Sequence, residues 1–169
     1  YYSMKKINIL LLLIILVSCG GNRDSKKNKF EYKKIEKKED NLDKKSNEAV
    51  IVLNSSDLMK FDQNELRVFE GQKITLTLNH TGKMSKEIMG HNFVLLKKET
   101  NLNDFAQRAM LARENEYIPD GNETIAYTKM IGGGESDTII FTAPEKGSYT
   151  YICTFPGHYG LMRGVLIVS

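Results

Sequence analysis

The segment Tyr151–Met162, which reads Tyr-Ile-Cys-Thr-Phe-Pro-Gly-His-Tyr-Gly-Leu-Met, constrains this chain more tightly than any other stretch. Ser148–Cys153 predicts a strand, Pro156-Gly157 predicts a turn, and Gly164–Val168 predicts the next strand. Cys153 therefore stands at a strand end, and His158 and Met162 return to the same rim. Any fold this chain adopts must gather a thiolate, an imidazole and a thioether at one end of a sheet. A second imidazole, His91, opens another strand in Met89-Gly90-His91-Asn92-Phe93-Val94. Two imidazoles, a thiolate and a thioether form the donor set of a trigonal copper site with a weak axial ligand. Thiolate and thioether favour copper(I) and imidazoles accept copper(II), so a geometry between the two preferences lets the ion change charge with little movement. Zinc is the competing metal, but its structural sites take four N, S or O donors in a tetrahedron and rarely recruit Met.

From Ala49 onward the chain reads as short strands with turn signals between them. Lys73–Asn79 alternates, with Ile74, Leu76 and Leu78 on one face and Thr75, Thr77 and Asn79 on the other. Ala49–Leu53, Glu65–Phe69, His91–Leu96, Thr124–Lys129 and Ser136–Thr142 bring the strand set to eight. Gly71, Gly82, Gly121, the Gly132-Gly133-Gly134 run and Pro144 to Gly147 punctuate them. Asn103 or Asp104 caps an expected helix through about Arg113, with Phe105, Ala109 and Ala112 on one stripe. Eight strands and one helical insertion near 103–113 predict an all-β, antiparallel β-sandwich.

The N-terminal part has a different texture. Lys5 and Lys6 precede Ile7–Val17, which is apolar apart from Asn8, and Leu16-Val17-Ser18-Cys19 resembles the bacterial lipobox. The apolar run is about half of the ~20 residues a membrane-spanning helix needs, which fits a signal peptide's apolar region. Residues 1–18 are expected to be a lipoprotein signal peptide, with Met4 as the natural start and Tyr1–Ser3 a frame extension. Cys19 is the expected lipidation site. Residues 19–48, rich in Lys, Glu, Asn and Ser, read as a lipid-anchored flexible charged linker. Residues 49–169 are the expected folded domain. The net charge of +3 divides unevenly, with ten Lys/Arg against seven Asp/Glu over Asn22–Glu48 and twelve against fourteen from Ala49 onward. The basic character belongs to leader and linker, which excludes a nucleic-acid-reading face on the domain.

Met-Gly-His-Asn at Met89–Asn92 and Cys-Thr-Phe-Pro-Gly-His-x-x-Leu-Met at Cys153–Met162 resemble, almost letter for letter, the two copper motifs of the azurins. Ser56–Phe61 and Ile125–Glu135 are also similar to that blue-copper family, and the resemblance covers about Leu53–Ser169. It implies an eight-stranded Greek-key cupredoxin sandwich with a helical flap and one type 1 copper ion. By position it implies His91, Cys153 and His158 as equatorial ligands, Met162 as the axial thioether, and the Gly90 carbonyl oxygen as the opposite weak axial contact. Asn92 and the Phe155 backbone N–H would hold the Cys153 sulfur. His80 matches the family's non-ligand histidine beside the site. Met59, Met84, Ile88, Met89, Met110, Phe155, Pro156 and Leu161 match the family's exposed apolar patch, a surface suited to brief docking of a redox partner. Copper(I) capture and packing under the flap are the other readings of those methionines. Two departures accompany the likeness. Ser55 and Gly71 stand in the region of the family's disulfide, and with Cys19 taken by lipid and Cys153 by metal no bridge is expected. Phe93 stands where the family carries a buried Trp.

Three functions compete. The first is a shuttle of single electrons between membrane-associated redox partners, such as c-type cytochromes or a copper/haem reductase or oxidase. The second is an enzyme of that reductase or oxidase type, which needs a second copper centre built from several more histidines. After His91 and His158 only His80 remains in the chain, so neither catalysis nor a small-molecule substrate is expected. The third is an extracytoplasmic copper carrier or storage protein, whose exchangeable site gains nothing from Asn92. The sequence favours the shuttle, as a bacterial membrane-anchored lipoprotein facing the periplasm.

Overall fold

A computed structural model describes residues 46–169. The expected signal peptide, Cys19 and the linker up to residue 45 lie outside the described residues. In chain order the strands are β1 (Glu48–Ser56), β2 (Lys60–Phe61), β3 (Glu65–Val68), β4 (Lys73–His80), β5 (Val94–Leu96), β6 (Thr124–Tyr127), β7 (Ser136–Thr142), β8 (Gly147–Ile152) and β9 (Arg163–Val168). Two helices, α1 (Lys86–Met89) and α2 (Leu102–Leu111), interrupt them. One sheet runs β2-β1-β4-β7 and the other β3-β9-β8-β5-β6.

The core lies between the two sheets. Ile74, Leu76 and Leu78, the apolar face of β4, are fully buried there with Leu53 of β1. Leu66, Val68, Tyr149, Tyr151, Leu166 and Val168 come from the opposite sheet to the same cluster. Each such side chain contributes about 1.5–3 kcal/mol when fully buried, so this alternation decides which way β4 faces. Phe93–Leu96 shows no alternation, because this stretch is buried on both faces. Phe93 and Leu95 join the inter-sheet core, while Val94 and Leu96 pack with Ile152, Phe105 and Ile118 in a second cluster to which α2 contributes. The Asn101 side chain accepts the Asp104 N–H and caps α2, a contact worth about 1 kcal/mol. Arg108 holds the helix to Glu123 and to the Asp120 carbonyl.

The all-β sandwich agrees with expectation, and four details differ. A ninth strand appears, β2, whose two residues are too few to alternate. The helix begins and ends about two residues early, since Asn101 supplies the cap rather than Asn103 or Asp104, and Ala112 falls outside it. The single turn α1 was not expected, because four residues carry no readable helical period. The sandwich is not wholly antiparallel, because β1–β4 and β3–β9 run parallel. The chain leaves the first sheet after β2, makes β3 in the other sheet, and returns as β4. Side-chain alternation reports the buried face and says nothing about a neighbour's direction.

Candidate metal centre

The register of three strands builds the site. β8 and β9 form an antiparallel pair from Gly147↔Val168 to Ile152↔Arg163, so Cys153 leaves the end of one strand where the other begins. β5 lies antiparallel on the other side of β8 with Val94 opposite Ile152. The residues just before Val94 are therefore brought beside those just after Ile152. His91, bridged to Ile131 rather than inside the strand, reaches Cys153 by this route. The intervening loop closes on itself: Met162 N–H donates to His158 O (2.8 Å), and Cys153 N–H donates to Met162 O (2.9 Å).

His91, Cys153 and His158 converge, all buried, with one potential ligand atom from each lying within 4.8 Å of the others. The Cys153 Sγ stands 3.8 Å from His91 Nδ1 and 3.7 Å from His158 Nδ1. Donors so spaced would all lie within bonding reach of one first-row ion placed among them. The Gly90 carbonyl oxygen lies 3.8 Å from the same sulfur. Gly90 has to be glycine, because a Cβ there would fall 2.5 Å from the Lys86 carbonyl oxygen. Met162 is wholly buried at the end of the loop.

Burial dominates the electrostatics. It lowers both His91 and His158 to about 4, so each is a neutral imidazole at neutral pH, the form that ligates a metal. It pushes the Cys153 thiol up to about 12, while the Asn92 and Phe155 backbone N–H groups pull the other way. A cation among these groups reverses the thiol's preference, since a coordinating thiol is deprotonated outright. The donor chemistry, the spacing and the neutral imidazoles fit a copper ion.

Ser56 is a part of the site that sequence reasoning missed. Its carbonyl oxygen lies 2.9 Å from His91 Nε2, which fixes the tautomer that turns the Nδ1 lone pair toward the sulfur. A backbone carbonyl leaves no mark in a sequence. The role expected of Asn92 is divided. Its backbone N–H acts on the sulfur, whereas its side chain accepts the Thr154 N–H (2.8 Å) and donates to the Thr154 hydroxyl (2.8 Å). Asn92→Ala leaves both Thr154 groups buried without partners, at about 1–3 kcal/mol each. Denaturant titration of the copper-free variant should show stability lower by about 2–6 kcal/mol.

His80 stacks on His91 with centroids 4.4 Å apart. The Gly82 N–H donates to its Nδ1 (3.0 Å), which leaves Nε2–H to donate to the Met89 carbonyl (2.9 Å). Of the expected patch, Met84, Ile88, Met110, Pro156 and Leu161 are exposed, and Met59, Met89 and Phe155 are half-buried.

A family model described as copper binding proteins, plastocyanin/azurin family, matches residues 47–169. Azurin-1 of Alcaligenes xylosoxydans xylosoxydans is 38% identical over 124 residues, covering 70% of this chain and 96% of that protein. Outer membrane protein H.8 of Neisseria gonorrhoeae is 39% identical over 115 residues, covering 65% of this chain and 62% of that protein. Among solved structures, auracyanin A, a "blue" copper protein of Chloroflexus aurantiacus, superposes with a TM-score of 0.65 at 34% identity, covering 72% of this chain and 98% of its own. The auracyanin of Roseiflexus castenholzii does so with the same score at 36% identity, covering 71% and 96%. The family match takes in every described residue but the first, metal donors included, and this chain belongs to the plastocyanin/azurin family of copper-binding proteins.

Proposed function

We propose that this protein is a type 1 copper electron carrier, tethered outside the cytoplasm by a lipid on Cys19, that docks redox proteins through the apolar rim of its copper site. The observation that carries the reading is the buried convergence of His91, Cys153 and His158 on one point. When bound, copper supplies one-electron chemistry between its two oxidation states. The chain's part is to hold the donors still. Ser56 O fixes His91, the loop hydrogen bonds fix His158 against Cys153, and Asn92 ties the two segments together. Donors held this way move little when the charge changes, which favours fast transfer. Met162 would supply a weakly held thioether to the ion, and the Gly90 carbonyl oxygen a second weak contact.

The docking surface is assigned to the exposed Met84, Ile88, Met110, Pro156 and Leu161 with the half-buried Met59 and Met89. Apolar contacts of this kind are easily dewetted and break few charge pairs on leaving, as a carrier requires. Partners of the c-type cytochrome or copper/haem reductase or oxidase class fit such a face. Against a role in copper delivery or storage stands the closure of the site, whose three donors are at most 4% exposed. Against catalysis at a second metal stands His80, both of whose ring nitrogens are engaged within the protein. The lipobox-like Leu16–Cys19 and the name of the Neisseria relative support a membrane-anchored, periplasm-facing location.

Two variants test the proposal in one preparation of the full chain. Leu161→Glu, at a side chain 72% exposed, should slow electron exchange with a haem protein by about tenfold, the equivalent of one interfacial hot spot of about 1.4 kcal/mol. Its colour and potential should stay as they were. Cys19→Ala should move the protein from the membrane fraction to the soluble fraction with its blue absorption intact, because acyl burial supplies about 0.8 kcal/mol per CH2. An unchanged rate in the first, or unchanged membrane attachment in the second, removes that half of the reading.

A further inference from the structure

Between α2 and β6 the chain makes two consecutive left-handed residues, Glu116 (φ 54°) and Tyr117 (φ 60°). Neither is glycine, and such residues are strained, persisting only where the surroundings over-determine them. One of those surroundings, Asn92, belongs to the copper site. The Glu116 carbonyl oxygen accepts from Asn92 Nδ2 at 3.3 Å, the same side chain that clamps Thr154 beside Cys153. The Glu116 carboxylate accepts the Met130 N–H at 2.9 Å and pairs with Lys86 of α1 at 3.8 Å. The Tyr117 N–H donates to the Ala112 carbonyl oxygen at 2.9 Å.

With its backbone fixed from both sides, Tyr117 sets its ring edge-on to Phe155, centroids 5.7 Å apart and planes at 61°. Phe155 in turn lies 4.7 Å from the ring of His158. Its backbone N–H acts on the Cys153 sulfur, and Pro156 and the left-handed Gly157 follow it directly. Phe155 is only half-buried and sits in a turn, so its position over His158 depends on what braces its outer edge.

We propose that Tyr117 is a positioning residue of the copper site, wedging Phe155 against His158 and so keeping water from that imidazole. The proposal rests on Cys153 and His158 being copper ligands. The strained backbone has a use on this account: it aims a ring that a relaxed turn would leave in solvent. Water admitted beside His158 stabilises the more highly charged copper(II), so loss of the wedge lowers the reduction potential.

The test compares Tyr117→Leu, Tyr117→Gly and Tyr117→Phe in the full chain. In the metal-free protein, NMR line shapes report how fast the Phe155 ring flips. An edge-to-face pair is worth about 0.5–1.5 kcal/mol, so Leu and Gly should speed flipping about two- to tenfold and Phe should restore the original rate. In the copper-loaded protein, Leu and Gly should lower the reduction potential and Phe should leave it in place. Tyr117→Gly keeps the comparison clean, because glycine relieves the left-handed strain and the fold survives while the ring is lost. A side chain that only fills space would alter stability without moving the potential. Unchanged ring flipping and unchanged potential in both Leu and Gly overturn the proposal. Absence of blue colour in the unmodified protein instead overturns the copper reading, and the metal-free ring-flip comparison then decides the wedge by itself.

Discussion

Cys153→Ser should abolish the intense visible absorption of the copper(II)-loaded protein while leaving the fold in place. The absorption arises from charge transfer out of a thiolate, and a serine hydroxyl offers the metal neither the charge nor the polarisable sulfur orbital. The exchange is nearly isosteric, and the new hydroxyl lies beside His91 Nδ1 and His158 Nδ1, whose distances to the present sulfur are 3.8 and 3.7 Å. An oxygen at that range is beyond hydrogen-bond reach of either nitrogen, so the copper-free variant should keep the fold but lose about 1–3 kcal/mol for the buried hydroxyl. Removing the soft donor weakens copper(I) more than copper(II), so the reduction potential should fall as well. Met162→Leu is the contrasting change. It should keep the colour and the copper and move only the potential, since an axial thioether binds weakly. A blue Cys153→Ser protein would mean that the sulfur does not ligate the metal.

Removal of copper should lower the thermal midpoint by about 10–20 °C. A metal held a thousandfold above its dissociation constant stabilises the native state by about 4 kcal/mol. A domain of this size shifts by roughly 3–5 °C per kcal/mol. Among the described residues Cys153 is a free cysteine, so no disulfide there carries part of this load. The copper-free form should also weaken with acid. His91 and His158 have folded values lowered from 6.5 to about 4, so between those limits the unfolded chain binds more protons than the folded one. Stability is then fully present above about 6.5 and declines as the pH falls toward about 4. Calorimetry of loaded and copper-free protein across that range measures both effects. Equal midpoints with and without metal would show that copper binding is not linked to folding.

The donor set was legible because its chemistry is written in side chains: few residue types can supply a thiolate, an imidazole and a thioether in ten positions. The alternation of β4 was legible for a similar reason, since each apolar residue there has one face to bury. Val94 to Leu96 declared burial but not direction, because a strand covered on both faces carries no period. Other supports of the site were hidden. Ser56 acts through a carbonyl, and Glu116 and Tyr117 through backbone angles that their letters disfavour; Asn92 and Phe155 were legible from the motifs, but the hold of the Asn92 amide on Thr154 was not. The parallel pairings were hidden as well, because they follow from the chain's crossings between sheets rather than from any one segment.

The parallel ladder of β1 with β4 has a mechanical corollary. It matches eight residue pairs, from Glu48↔Lys73 to Ser55↔His80. At about 3.3 Å per residue, β1 separates its first residue from Ser56 by roughly 26 Å. Glu48 thus stands at one pole of the sandwich, and His91, which Ser56 helps to orient, stands at the other. A force applied at Glu48 along the strand would load this ladder in shear, its strongest direction, with Ser56 and the metal donors at the far end.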